Sequence, residues 1–337
     1  MLDLAAAGDM MVDHIFPPNR SPFNRAFELI SKADLFFVNL EIPLGTRGHP
    51  QEKEITFRSK PSVVQILPRL GVDVVSIANN HMLDYGEESL IQTLETLNKL
   101  RIRHVGAGRN LSEAIKPAVM EKRGVRIAFL GLAATLPLGS AASETRPGTA
   151  PVHVKTSYEI DPTSLQEQPG DPPKIRTAVD AHDEERICQN IRQARKLADH
   201  VVVGIHWGIA FTTQRAEYQQ PLGRKMIEAG ATLVVGHHPH VRQGLEHYKN
   251  GLILYSVGNV IFHDRIGWTS ESGMLATVEL DKKKIRNLKL WPYRVDSKTG
   301  LPILGNRKEA RELLEEMKQQ SPKENLTLEG DALRLRT

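Results

Sequence analysis

Over its first two thirds the chain alternates short apolar runs with stretches of helical periodicity. Residues 2–7, 34–40, 72–78, 126–132, 200–206 and 232–235 have the length and apolar content of buried strands. Between them, Leu90, Ile91, Leu94, Leu97 and Leu100 fall on one face of a helix predicted over 87–100. Weaker patterns of the same kind predict helices over 184–198 and 217–229. Such alternation argues an α/β architecture, with helices covering sheet faces. Later, residues 252–255, 274–280 and 285–291 are strand-like with no helix between them. They read as an antiparallel run, so mixed sheets are expected.

Residues 139–183 break the alternation with Pro147, Pro151, Pro162, Pro169, Pro172 and Pro173, and read as a long loop. Excursions of that length are commonly lids or disordered inserts. Residues 307–320 form a charged helix, followed by what reads as a loosely held tail. The expected organisation is one domain over 1–300 carrying the excursion, then a C-terminal helix and tail over 301–337.

The 337 residues are 40% hydrophobic and 25% charged, which excludes overall disorder and suffices for a sizeable core. The formal charge is +4 with the two signs interspersed, so no nucleic-acid partner is expected. Cys188 is the only cysteine, which rules out an intrachain disulfide or a thiolate metal cage. The N-terminus lacks the basic start of a secretory signal. No uncharged apolar run approaches the roughly 18–20 residues of a membrane span. A cytoplasmic location is the expectation.

The 13 histidines matter by position. His237, His238 and His240 follow the apolar run 232–235, and His206 ends the run 201–205. Asp9, Glu41 and His81, the last preceded by Asn79 and Asn80, stand in the same place after three further runs. Five predicted strands thus end in metal-competent or acid–base side chains. Open α/β sheets bind ligands outside the carboxyl ends of their strands, so parallel neighbours would gather these residues on one rim. Carboxylate, imidazole and amide oxygen together suit Mn²⁺, Fe²⁺, Co²⁺ or Zn²⁺. Arg58 and Lys60 offer cations for an anionic substrate. Trp207 reads as packing, and Gly106-Ala107-Gly108 as a turn.

The segments Gly8-Asp9, Asn39-Leu40-Glu41, Ala78 to Gly86, His206-Trp207-Gly208, Gly236 to His240 and Tyr255 to Asn259 occur in an order that resembles the CapA family. This is the bacterial poly-γ-glutamate capsule biosynthesis group, and the likeness covers about residues 2–265. The family resembles the calcineurin-like metallophosphatases. That implies a four-layer α/β/β/α sandwich of the metallo-dependent phosphatase type, with one or two divalent ions at the sheet ends. Carried over by position, Asp9 ligates the first metal and Glu41 bridges both. Asn80 and His206 bind the second, and His238 and His240 are divided between the two. His81 becomes the acid–base histidine, with Asp84 orienting it. Asn259 is expected near the site, and it joins Arg58 and His237 as a candidate for touching substrate.

Two departures qualify the resemblance. Metallophosphatases open with Asp-x-His, whereas Met11 stands at the third position here, with Asp13 and His14 as alternative donors. The closing Gly-His-x-His motif fits either Gly236-His237 or the spacing of His238-Pro239-His240, and the second alignment is preferred.

The implied function is a divalent-metal-dependent hydrolase. It would use metal-activated water on a phosphoester or an amide or peptide-like substrate, within poly-γ-glutamate or capsule metabolism. The alternatives are a peptide Cα-epimerase with Asp9 and a facing histidine as its acid–base pair, and a non-catalytic accessory subunit of a polymer-synthesis complex. The expected partner is a small-molecule, peptide or polymer substrate.

Overall fold

Two large sheets take up the apolar runs in the computed structural model, which describes residues 1–13, 25–60, 62–262, 272–297 and 299–335. In the ten-stranded sheet, Leu2–Met10, Leu35–Leu40, Val74–Ser76 and Arg103–Val105 run parallel as neighbours. Ser272–Leu280, Ile285–Val295, Ala332–Leu335 and Leu326–Glu329 extend it antiparallel on the other side of Leu2–Met10. The six-stranded sheet has a parallel centre of Val125–Ala133, His200–His206, Leu233–His237 and Gly251–Val257. Its edges, Ala118–Lys122 and Arg242–Tyr248, are antiparallel. Strands covered on both faces read as continuous apolar runs. Leu35–Leu40 and His200–His206 are accordingly buried at every residue.

Successive side chains leave a strand on opposite faces, so each run feeds two cores. Leu4, Ala6, Leu35 and Phe37 of one sheet meet Phe129, Val202, Val235 and Leu254 of the other. Phe37 and Phe129 stack there with ring centroids 5.4 Å apart. Ala5, Phe36, Val38 and Val75 turn the other way, against helices Arg25–Lys32 and Gly86–Lys99. On the far side, Ala128, Leu130, Val201, Val203 and Ile253 pack on Ile187 and Ile191 of Ala181–Leu197 and on Leu222 and Met226 of Gln219–Glu228.

Three sequence expectations need correction. The strand Gly251–Val257 does not join an antiparallel run with the two strands after it. It lies in the six-stranded sheet, parallel to Leu233–His237, and only Ser272–Leu280 and Ile285–Val295 pair with each other. Segment 139–183 is not a structureless loop. It holds Gly148–Thr149, paired with Ala107–Gly108, and a two-stranded ribbon of Val154–Glu159 with Lys174–Val179. The short helix Pro162–Glu167, capped by Asp161, joins the ribbon's strands. The prolines lie mostly between these elements, where no ladder N–H is needed.

The C-terminal residues are not a loose tail either. Leu326–Glu329 and Ala332–Leu335 form a hairpin, and its second strand pairs with Ile285–Val295. Helix Arg307–Gln320, started by an Asn306–Glu309 capping box, buries Ala310, Leu313 and Met317 in the core between the sheets. Leu333 is fully buried in the same core. Leu333→Ala is therefore expected to cost about 2–5 kcal/mol by urea unfolding. An unchanged midpoint would show the hairpin to be dispensable. No helix among the described residues is long and apolar enough to cross a membrane.

Candidate metal centre

Strand register brings the chemistry together. Asp9 pairs across the sheet with Asn39 on one side and Asn259 on the other, and His206 pairs with His237 in the second sheet. The close approach of Gly8 and Gly258 makes the first arrangement possible. A Cβ on Gly8 would lie 1.7 Å from the Gly258 carbonyl oxygen, which accepts the Asp9 N–H at 3.0 Å. The two sheets meet at this rim, where the His238 N–H donates to Asp9 Oδ2 at 3.1 Å.

Glu41 sits at the centre, fully buried, and among the described residues neither carboxylate oxygen has a hydrogen-bond partner. Among the described residues, two sets of potential ligand atoms share it. One is Asp9, Glu41 and His206; the other is Glu41, His238 and His240; within each set the atoms lie within 4.8 Å of one another. His206 Nε2 is 3.3 Å from Glu41 Oε1, 2.9 Å from Asn80 Oδ1 and 3.1 Å from His238 Nδ1. An orphaned buried carboxylate facing imidazole nitrogens fits divalent cations, because an unpaired buried charge is otherwise expensive. Burial pushes the Glu41 carboxyl above its usual range. It also pulls His206 down to about 3 and His238 well below the usual imidazole value, so both rings are neutral and able to ligate.

Supporting groups orient these ligands. Asn39 donates from Nδ2 to Asp9 Oδ1 at 2.7 Å and lies 3.3 Å from His206 Nδ1. Asn79 donates to the Leu40 carbonyl, and its own Oδ1 accepts the His81 N–H, which shapes the turn that presents Asn80. Asn259 is fully buried with Oδ1 2.8 Å from His240 Nδ1, a contact that orients the ring. Asn259→Ala is expected to weaken metal binding about 10–100-fold, as loss of an outer-shell partner does. Metal titration of the variant checks this, and unchanged affinity would remove Asn259 from the centre. His238 and His240 hold φ values of +92° and +56°, sparsely populated for residues other than glycine.

His237 is turned away. It is buried, with Nε2 3.2 Å from the Ala7 carbonyl oxygen, and it belongs to neither set of ligand atoms. The spacing His238-Pro239-His240 is thus the one that faces Glu41. Met11 lies in the apolar core beside the helices. Asp13 lines a neighbouring groove, and His14 lies outside the described residues. Trp207 is fully buried, donating from Nε1 to the Tyr255 carbonyl, which makes it packing.

His81 stands beside the ligands without joining either set. Its Nδ1 is 2.7 Å from Asp84 Oδ2, and since a carboxylate only accepts, that nitrogen carries the proton. Lys53, which sequence reading missed, pairs with the other Asp84 oxygen and donates to the Asn80 carbonyl at 2.7 Å. Phe57 lies 4.5 Å from the His81 ring, and Phe211 and Phe262 lie 5.8 and 5.1 Å from the His240 ring. These residues are remote in sequence and carry no motif. Arg58 lies in the groove beyond Phe57.

Comparison with known proteins places the chain among capsule biosynthesis proteins. Capsule biosynthesis protein CapA of Bacillus anthracis is 30% identical over 75% of this chain and 55% of its own length. PGA biosynthesis protein CapA of Bacillus subtilis is 30% identical over 89% of this chain and 72% of its own. A probable polyglutamine synthesis accessory protein of Mycobacterium tuberculosis is 26% identical over 72% and 60%. The chain thus spans between about half and three quarters of these relatives. A crystal structure of a hypothetical protein from Thermus thermophilus aligns over 87% of this chain and 99% of that one. At 15% identity and a TM-score of 0.50, it is a likeness of fold alone. The sequence model of one family matches residues 3–264, across every strand end just described, and the chain belongs to that family: bacterial capsule synthesis protein PGA_cap.

Proposed function

We propose that this chain is a divalent-metal-dependent hydrolase of capsule or poly-γ-glutamate metabolism, acting on a phosphoester or amide bond. The observation that carries the reading is Glu41, a fully buried carboxylate with no hydrogen bond among the described residues, shared by two sets of ligand atoms. Three cores, one between the sheets and one under each helix layer, support a four-layer α/β/β/α sandwich of the metallophosphatase type. Asp9, Glu41 and His206 would hold one ion, and Glu41, His238 and His240 a second, with Asn80 completing the set around His206. Mn²⁺, Zn²⁺, Fe²⁺ or Co²⁺ held there would supply Lewis acidity and a water acidic enough to act near neutral pH.

The chain's own groups do the rest. His81 gives a proton to the leaving group, and Asp84 holds the ring in the required tautomer. Lys53 keeps the Asp84 carboxylate and the Asn80 backbone in register. Phe57 packs on the His81 ring, and Phe211 and Phe262 pack on the His240 ring.

A non-catalytic accessory role is the second reading. It draws on the printed name of the Mycobacterium tuberculosis relative and on Met11, an apolar core residue at a position where imidazole is usual. The epimerase reading has less support. Both Asp9 oxygens already accept hydrogen bonds, from Asn39 and from the His238 N–H.

The test is elemental analysis of chelator-free protein beside a His238→Ala/His240→Ala double variant, with hydrolysis of a chromogenic phosphodiester and a γ-glutamyl anilide. One or two ions, lost in the double variant, with metal-dependent turnover are expected. Metal without turnover favours the accessory role, and deuterium uptake by a peptide without cleavage favours the epimerase. Protein that takes up no ion after reconstitution overturns the hydrolase.

A further inference from the structure

Asp84 holds more than His81. Its Oδ2 also accepts the Phe57 backbone N–H at 2.7 Å, and the segment beyond Phe57 is fastened in turn. The Ser59 N–H donates to the Pro43 carbonyl and the Gly45 N–H to the Ser59 carbonyl, both at 3.0 Å. Residues 57–60 therefore form a wall in fixed register with the proposed acid–base histidine. Phe57, Arg58 and Lys60 of this wall line a groove of about 610 Å³, together with Asp13, Ile42, Thr46 and Tyr85.

Arg58 is built into this groove as a preoriented cation. Its guanidinium lies 3.8 Å from the Tyr85 ring centroid, and Nη1 donates to the Thr46 carbonyl at 3.2 Å. Among the described residues it pairs with no carboxylate, whereas neighbouring Arg47 pairs with Glu95. Lys60 adds a second, exposed cation, and with Asp13 the one acidic residue among the described residues of the lining, the groove keeps a net positive charge. A planar guanidinium held by stacking and one carbonyl keeps its other donors in a fork that matches carboxylate or phosphate.

We propose that this groove is the subsite for an anionic group on the substrate, with Arg58 binding the anion and Asp84 fixing the groove's register to His81. The inference rests on the hydrolase reading of the adjacent centre and names the substrate class for it: a chain bearing a carboxylate or phosphate beside the bond to be cut. Arg58 is the specificity-determining contact. Tyr85 and Thr46 position it.

The test separates anion binding from metal and from turnover. The full chain, treated with chelator and checked for fold by circular dichroism, is titrated calorimetrically at low salt with tetraglutamate, tetraglutamine and inorganic pyrophosphate. An anionic probe is expected to bind and tetraglutamine not to. Arg58→Ala should weaken binding about tenfold or more, as loss of a charged hydrogen-bond partner does. Arg58→Lys should restore only part, since an ammonium keeps the charge but not the planar fork. Preference for tetraglutamate assigns a carboxylate, and preference for pyrophosphate a phosphate. Equal affinity in wild type and Arg58→Ala overturns the subsite, as does binding of tetraglutamine as tightly as tetraglutamate. Anion binding that depends on Arg58, in a protein that turns nothing over, would overturn the hydrolase and leave the subsite standing.

Discussion

His81→Gln is expected to lower turnover on the order of 10²–10⁴-fold while the protein keeps its full complement of metal. The separation follows from geometry. His81 belongs to neither set of ligand atoms, yet its ring is held by Asp84 at 2.7 Å and lies 4.5 Å from Phe57, which lines the groove. Glutamine preserves polarity and approximate size but cannot exchange a proton near neutral pH, so the proton-transfer contribution is lost and binding is spared. Turnover and elemental analysis on the same preparation check this. Parallel loss of metal would make His81 a ligand, and undiminished turnover would end its acid–base role.

Glu41→Gln should invert the response of stability to metal. In chelated wild-type protein the buried carboxylate has no hydrogen-bond partner among the described residues, and an uncompensated buried charge costs on the order of 3–5 kcal/mol. Burial raises its pKa, so protonation relieves part of that cost. The neutral amide removes the charge, and the chelated variant should melt higher than chelated wild type. With metal present the order reverses, because Glu41 is common to both ligand sets and its loss weakens both. The loss should exceed the roughly 10–100-fold expected for an outer-shell residue such as Asn259. Thermal melts of both proteins, with Mn²⁺ and with chelator, give four midpoints. Equal metal-induced stabilisation of variant and wild type would show that Glu41 holds no ion.

Legibility differed between the two kinds of element. Buried parallel strands were readable to within about three residues at each end, and at His200–His206 to the residue, because both faces demand apolar side chains and leave an uninterrupted run. The ribbon of Val154–Glu159 and Lys174–Val179 was not, because its residues are mostly exposed and polar and carry no core pattern. The terminal hairpin escaped for a related reason. Each strand is four residues long, too short for alternation to stand out from chance. The partnership of Gly251–Val257 was hidden because a strand's own pattern does not say which sheet receives it.

For the centre, the chain alone determined which strand ends carry ligand-type side chains: Asp9, Glu41, Asn80, His206, His238 and His240. Alternation and apolar content are local, so they set where each strand stops and what stands there. Only the tertiary structure decided which of these atoms converge, that His237 turns to the Ala7 carbonyl while His238 and His240 face Glu41, and that Asn259 serves His240. It alone brought Lys53 and Phe57 to Asp84. Those outcomes depend on the pairing of two sheets and on backbone geometry at single residues. Such contacts join positions up to 230 residues apart, and no periodicity along the chain encodes them.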